Sequence, residues 1–533
     1  MCGIAMIVGS GWSTDIFGAM IAAVEHRGTI TERYERSDLA AATRRLPIVD
    51  REHAVQPWRF GPASESTLCY NGEIYNLGEL RDELVGLGRL PETSSDTELV
   101  ALSLLQWGEQ AVNQLAGEFA FAMERDGSVY VARDQFGVKP LYYAIHGPLV
   151  FVASEIKALV PVGAPIDEVP PGHHGWISAA RGARLRAYYD LDEAVRTGEQ
   201  REFTSEAEAV EAIRAAVVAA VESRVHTDLP LGVILSGGLD STIVATVAAR
   251  VHPECTAYTI GTPDSPDVAY AARVAGDLGI RHRVIELRPR DIPRSAALAA
   301  VGFSELSEYG DIINAAISAP LFQAIADDGV RVAIGGDCSD ELFGGYPMYQ
   351  TVPADQQREL FTYKLRSLGR TELQRVDRAS MAATVEARVP FLDQRVVQAA
   401  LRVPSAWKAR DGQDKWILRR AVEQLVPDYV INRPKHGLSY SSGLHDRVRL
   451  FKPWMPREYH RHGLAAHTPL HRDFDAALAA SGDDLRNALA SGQLLQDHTP
   501  LEKSRDFVGA LRWNLFPPRS GSTSEFTQPQ QEG

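Results

Sequence analysis

Residues 231–242 read LGVILSGGLDST, and this stretch decides the architecture of the second half of the chain. An apolar run ends in Ser236-Gly237-Gly238, and a helical pattern begins near Asp240. Two glycines let backbone N–H groups approach phosphate oxygens, and a helix N-terminus behind them adds a favourable dipole. Ser236 and Ser241 supply hydroxyl donors, and Asp240 supplies a carboxylate able to hold Mg²⁺ against phosphates. The loop lacks the Gly-Lys-Ser/Thr of a Walker A sequence and the GxGxxG of a dinucleotide fold. Working outward, short apolar runs at 232–238, 255–261, 282–287 and 331–336 have helical stretches between the first three. Such alternation predicts a parallel sheet with helices on its faces. After about residue 340 the apolar periodicity is mostly helical.

The run AIGGDCSDELFGGY at 333–346 repeats the logic: a strand, two glycines, then Asp337, Asp340 and Glu341. Acids at the carboxyl end of a parallel strand reach a ligand in the same crevice as the first loop. Asp240 and Asp340 are therefore expected to share a metal ion. Lys435, in NRPKHG at 432–437, reads on its own as a surface lysine in a punctuated loop.

Toward the N-terminus, to about residue 190, the chain reads as β-rich with a few helices. Residues 4–9 predict a buried strand, 15–28 a helix ending at glycine, and 148–155 a further strand. The clearest hairpin spans 119–134, turning through Asp126-Gly127. A polar, charged segment at 194–209 reads as a linker. The chain opens MCGIAMIVGS, and a cysteine at position 2 has one particular chemical use. With Met1 removed, Cys2 would carry both a thiol and an α-amine that titrates near neutrality, so nucleophile and base would share one residue. In CYNGEIYN at 69–76, Asn71 and the Gly72 backbone are candidates for an oxyanion hole, and Glu73 for an ammonium partner. Asp96 is a second ammonium partner, and Arg45 can pair a carboxylate bidentately.

Composition bounds the rest. A net charge of −14 over 533 residues argues against a general nucleic-acid or membrane-surface role. Four scattered cysteines without metal-ligand spacing fit a reducing compartment. No run reaches the length of a membrane span, so a cytoplasmic protein is expected. The end, PPRSGSTSEFTQPQQEG, is polar and expected to be a disordered tail over 516–533.

LSGGLDS resembles the pyrophosphate loop (PP-loop) of the N-type ATP pyrophosphatases. MCGI, RLPIVD, YNGEIYN, SDTE, GEFAFA and ARDQFGVKPLYY resemble the N-terminal-nucleophile glutaminase domain of glutamine-hydrolysing asparagine synthetases. LSGGLDS, GDCSDELFGGY and VEARVPFLD resemble their synthetase domain. The resemblance covers roughly residues 1–515. It implies an α+β glutaminase at 1–195, a layered β-sandwich of the Ntn type with helices. It also implies an α/β parallel-sheet ATP-pyrophosphatase domain with a helical C-terminal part at 205–515.

Carried onto this sequence, the resemblance implies that Cys2 attacks the side-chain amide of glutamine, with Asn71 and Gly72 stabilising the oxyanion. The glutamine pocket would comprise Arg45, Leu46, Pro47, Ile48, Val49, Asn71, Gly72, Glu73 and Asp96. Ammonia would pass through a shielded interior route to ATP held by Leu235, Ser236, Gly237, Gly238, Asp240, Ser241, Ile260, Gly335 and Gly336. A carboxylate would attack the α-phosphate to give an acyl-adenylate, and ammonia would displace AMP. Lys435 would stabilise charge in the transition state, Asp337 would act in the catalytic set, and Mg²⁺ on Asp240 and Asp340 would answer the pyrophosphate charge. Partners would be glutamine, ATP and a carboxylate acceptor, with a second copy of the chain in a homodimer.

Departures cluster on the acceptor side. Gly335-Gly336-Asp337-Cys338 stands where the family has Ser-Gly-Glu-Gly, and HGLSYSSG follows Lys435 in place of the usual acidic and Phe-Ser-Asp pattern. HRGTI at 26–30 replaces HRGPD in the glutaminase half. Aspartate is the acceptor expected first, with another carboxylate as the alternative. A ring-closing relative of the β-lactam synthetase kind would not need Cys2, and a catalytically dead binding protein would not keep both sets of residues.

Overall fold

The computed structural model describes residues 1–306, 309–354, 356–435 and 437–464. The expected tail and the last part of the second domain lie outside the described residues. Two six-stranded sheets build the N-terminal half. The first runs Ile166–Glu168, Tyr142–His146, Leu149–Ala153, Cys2–Val8, Leu39–Arg45, Ile30–Arg36. The second runs Gly182–Ala187, His173–Ser178, Ser128–Arg133, Gly117–Arg125, Ser66–Ile74, Trp58–Phe60.

Strand periodicity explains why these sheets stack. Successive side chains point to opposite faces, so Ile4, Met6 and Val8 meet Cys69, Ala120, Ala122 and Val131 of the second sheet. Ala5 and Ile7 point the other way, onto Phe17 and Met20 of the helix Thr14–Ala23. The outer face of the second sheet, with Leu68, Tyr70, Phe119 and Phe121, is covered through Leu80, Leu84, Leu99 and Leu104 of Leu77–Gly86 and Asp96–Trp107. The result is a helix–sheet–sheet–helix sandwich, with the hairpin turning at Asp126-Gly127 as the sequence predicts.

The second half carries a parallel sheet in the order Arg281–Glu286, Thr256–Gly261, Leu231–Ile234, Val332–Ile334, Glu386–Arg388. From Leu231–Ile234 the chain passes to one side, then returns to the other through Val332–Ile334. The strand order therefore reverses between these two, and a crevice opens at their carboxyl ends. Both glycine loops lie there. The remainder of the described chain is helical.

Three local expectations differ from the structure. The helix expected over 15–28 stops at Ala23 and tightens into a 3-10 turn at Glu25–Arg27, because Arg27 turns inward to a fully buried pairing with Asp377 and Glu155. The polar segment 194–209 is mostly helical: Asp190 caps Leu191–Gln200, Ser205 caps Glu206–Val225, and only a short stretch separates them. Its polarity is that of a docked helix with a solvated face, with Gly198 against the Leu401 backbone. Glu386–Arg388, in a region expected to be helical, joins the sheet as its edge strand. All four cysteines are free and buried. Among the described residues no helix is long and apolar enough to cross a membrane.

Candidate active sites

Cys2 begins the strand Cys2–Val8, pairs in register with Arg45, and is buried. Its backbone N–H donates to Asn71 Oδ1 at 2.8 Å. That bond uses the oxygen end of the Asn71 amide and leaves Nδ2 buried without a partner. A buried donor lacking an acceptor is costly, and here it stands beside a thiol.

Gly72 adds a second donor by parity. In an antiparallel strand alternate N–H groups point to the same edge, and the Tyr70 N–H donates away from the neighbouring strand to Gln56 Oε1 at 2.8 Å. The Gly72 N–H therefore faces the same edge. A Cβ at position 72 would lie 2.5 Å from the Glu118 carbonyl, so glycine is required there for packing as well. Gln56, unmarked in the sequence, places Nε2 3.8 Å from Cys2 Sγ and 3.2 Å from Thr97 Oγ1. Burial pushes the Cys2 thiol up, against the pull of the neighbouring ammonium and the Leu46 amide.

An acidic pocket adjoins. Glu73 and Asp96 are both buried, and burial raises their carboxyls to about 8 and about 6. Arg388 stands 3.5 Å from Glu73. A cavity of about 510 Å³ opens here, lined by Ile48, Val49, Glu73, Leu77 and Ser94, with His226 closing it from the second half. Leu46 N–H holds the Met1 carbonyl at 2.9 Å, and Pro47 continues the segment. Arg45 is buried, but its fork is engaged by Glu32 at 2.9 and 3.1 Å, and its third nitrogen by the Arg51 carbonyl. A substrate carboxylate would have to share it.

At the second site, the helix Leu239–Val251 begins behind Ser236-Gly237-Gly238. Gly237 adopts φ +68°, and a Cβ there would meet Tyr270 at 2.5 Å. The Ser236 and Ser241 hydroxyls are 3.1 Å apart, and Gly238 N–H donates to Ser236 Oγ at 3.3 Å. A Cβ on Gly336 would lie 2.7 Å from Asp240 Cβ, so the two glycine loops touch through that residue. Leu235 and Ile260 are buried in the sheet beside them.

Asp240 and Asp340 converge, and they do so on a lysine that the sequence does not single out. Lys415 Nζ lies 2.5 Å from Asp240 Oδ2 and 2.6 Å from Asp340 Oδ1, and Lys435 Nζ lies 2.8 Å from Asp340 Oδ2. Burial would raise the Asp340 carboxyl, yet these two ammonium groups hold it well below the usual carboxylate range. Lys435 is partly exposed, not a free surface lysine; burial opposes its charge, but Asp340 and Asp240 raise it overall. Two carboxylates meeting at one Nζ fit a single cation. Among the described residues no group of three or more His, Cys, Asp or Glu could hold a metal. Mg²⁺ at this place would therefore depend on phosphate oxygens, which is its common habit.

On the acceptor side, Asp337 Oδ1 is held by Arg375 at 2.7 Å, and Arg375 also pairs with Glu372. Cys338 is buried at φ 70° in the left-handed region, just ahead of the short helix Ser339–Phe343. Burial, with Glu372 and Asp340 nearby, raises the Glu341 carboxyl to about 8.

The edge strand Glu386–Arg388 joins the two sites. The Arg388 carbonyl accepts from Gly335 N–H at 3.2 Å, and Glu386 Oε2 lies 3.1 Å from the Met1 ammonium. Sequence reasoning missed Gln56, Arg375, Glu386 and Lys415, since each gains meaning only from a partner far along the chain. For Glu386 the quoted VEARVPFLD was a signal.

Residues 1–174 match the glutamine amidotransferase domain family, and residues 212–358 and 350–496 match the asparagine synthase family. The two matches define a glutamine-dependent, ATP-using amidotransferase. The chain is 33% identical over 448 residues to asparagine synthetase B [glutamine-hydrolyzing] of Escherichia coli (strain K12), covering 79% of this chain and 78% of that one. It is 31% identical over 504 residues to the asparagine synthetase [glutamine-hydrolyzing] of Sandersonia aurantiaca, covering 88% and 90%. The chain belongs to the glutamine-hydrolysing asparagine synthetase family.

Proposed function

We propose that this enzyme converts aspartate to asparagine, releasing glutamate, AMP and pyrophosphate, with the glutaminase at 1–195 and the synthetase at 205–515. The observation that carries the glutaminase half is the unpaired Asn71 Nδ2 beside Cys2. With Met1 removed, the Cys2 α-amine takes the thiol proton as Sγ attacks the glutamine amide carbon. The tetrahedral oxyanion receives hydrogen bonds from Asn71 Nδ2 and the Gly72 N–H, and Gln56 Nε2 stabilises the thiolate. Glu73 and Asp96 hold the substrate ammonium, and Arg45 its carboxylate. The protonated amine returns its proton to the departing ammonia, and water releases glutamate.

ATP lies with its phosphates over Ser236–Ser241 and its base against Leu235, Ile260 and Gly335-Gly336. The acceptor carboxylate attacks the α-phosphorus and pyrophosphate leaves, with Lys435 and Lys415 compensating the charge. Asp240 and Asp340 would hold Mg²⁺ in place of the Lys415 ammonium they share here, with that ammonium turned to the phosphates, and the ion would supply charge neutralisation for the pyrophosphate. Ammonia then attacks the acyl carbon and AMP departs. Ammonia released inside the protein stays unprotonated and nucleophilic, which gives the fusion of the two halves its physical sense.

A second reading keeps every step but changes the acceptor. The Arg375–Asp337 pair and the left-handed Cys338 favour it, because both reshape the loop on the acceptor side. Replacing Cys2 with Ala tests the assignment of the nucleophile. The variant is expected to lose glutamine-dependent product and keep ammonium-dependent product; normal use of glutamine would overturn it.

A further inference from the structure

A second large cavity, about 890 Å³, lies where the two halves meet, and its residues belong neither to the glutamine pocket nor to the ATP loops. His26 and Lys157 come from the N-terminal half, Arg294 from the helix Arg294–Ser304, and Arg461 and His462 from the end of Met455–Arg461. Among the described residues Glu458 is the one carboxylate on its wall, and it faces Arg461 at 3.6 Å. Leu298, Ala299 and Phe303 form an apolar strip along one side. The His462 ring packs onto Gly302, where a Cβ would lie 2.4 Å from its Nε2 and would push the ring aside.

Lys157, Arg294 and Arg461 outnumber that carboxylate, while burial lowers His462 toward its neutral form, so the wall carries a modest positive excess in a chain of net charge −14. Guanidinium groups favour phosphate through paired hydrogen bonds, and the volume suits a nucleotide-sized molecule. The apolar strip offers a surface for its uncharged part.

The cavity is also wired to the nucleophile. Buried Glu155 accepts from His26 Nε2 at 3.0 Å, pairs with Lys157 Nζ at 2.5 Å and accepts from Arg27 Nη1 at 2.7 Å. Arg27 Nε in turn donates to the Cys2 carbonyl at 3.1 Å, and its far side is fixed by Asp377 at 2.8 and 3.0 Å. An anion that draws Lys157 and His26 toward itself loosens their hold on Glu155. Glu155 is then freer to pull on Arg27, and through it on the backbone of Cys2.

We propose that this interdomain cavity binds a small polyphosphate-bearing molecule and that its occupancy changes the glutaminase rate through Glu155 and Arg27. The coupling rests on Cys2 as the nucleophile; the binding does not.

Inorganic tripolyphosphate is the probe, titrated calorimetrically into the full chain and into R294Q/R461Q, with K157Q as a second variant should the first fold poorly. The expected result is a binding step that the variants weaken by about tenfold or more. Glutamate release from glutamine without ATP should change at least about twofold on adding the probe in the unmodified protein alone. A step equal in all proteins belongs to the ATP loops, which also take phosphate, and the absence of any further step that the variants weaken overturns the site. Binding that the variants lose, with glutamate release unmoved by the probe, overturns the coupling. Absence of glutamate release under every condition overturns the Cys2 assignment instead, and the coupling with it.

Discussion

The Met1 ammonium lies 3.1 Å from Glu386 Oε2, so this residue touches the edge strand of the parallel sheet in the second half. Burial would raise the Glu386 carboxyl, but Arg388 and that ammonium bring it down to about 2. While Met1 is present, the Cys2 nitrogen is an amide and cannot serve as a base. Intact mass is therefore expected to show Met1 absent from active protein. An extra residue kept ahead of Cys2 should lower glutamine hydrolysis by at least about 100-fold, leaving ammonium-dependent synthesis in place. Full glutamine turnover by a protein that retains Met1 would contradict this.

Asn71 Nδ2 is the donor the oxyanion account needs. Asn71→Ala should reduce the turnover number for glutamate release by about 100- to 1000-fold, the usual cost of one such donor. Ammonium-dependent product formation should stay within about twofold, since the synthetase site is not touched. Steady-state assays with the two nitrogen sources separate these effects.

Lys415 sits between Asp240 and Asp340. Lys415→Ala leaves two carboxylates facing each other and removes a cation from the place where phosphate charge would gather. Pyrophosphate release is expected to fall at least about 100-fold. Glutamate release without ATP should be unchanged, and a parallel loss there would show a folding defect instead.

Glutamine binding should depend on pH through the two buried acids. Burial raises Glu73 to about 8 and Asp96 to about 6, and only their ionised forms attract the substrate ammonium. KM for glutamine is therefore expected to fall as pH rises from about 6 to about 8. Glu73→Gln should raise KM and remove the upper part of that dependence.

Lys408 gives a stability prediction. Its Nζ lies 4.3 Å from the Phe361 ring centre in a buried setting, and burial, with Arg358 nearby, lowers it from 10.5 to about 7. Between those two values the unfolded chain binds the proton that the folded chain lacks, so this group makes stability rise with pH. Lys408→Met should stabilise the protein by about 1–4 kcal/mol near pH 7 and by less near pH 10. Urea midpoints at the two pH values measure the difference.

Much of this was legible in the sequence, because the informative features are local. The strand–glycine–helix junction at 231–242, the second loop at 333–346, and the Asp126-Gly127 hairpin announce themselves within a dozen residues. Asp240 and Asp340 were expected to meet because both sit at carboxyl ends of parallel strands. What stayed hidden depends on long-range partners. Arg27 ends a helix early because Asp377 lies across the interface. Lys415 looks like any helix-flanking lysine until two loops close on it. The segment 194–209 carries a polar composition shared by linkers and by solvated helix faces, and only its docking against Leu401 separates them.

The measurement that tests the central claim most directly follows the amide nitrogen. Glutamine labelled in its amide is supplied with Mg-ATP and L-aspartate, and the products are read by mass spectrometry. Labelled asparagine is expected, with AMP, pyrophosphate and glutamate formed alongside it. Glutamate without labelled asparagine would contradict aspartate as the acceptor, and no glutamate at all would contradict Cys2 as the nucleophile.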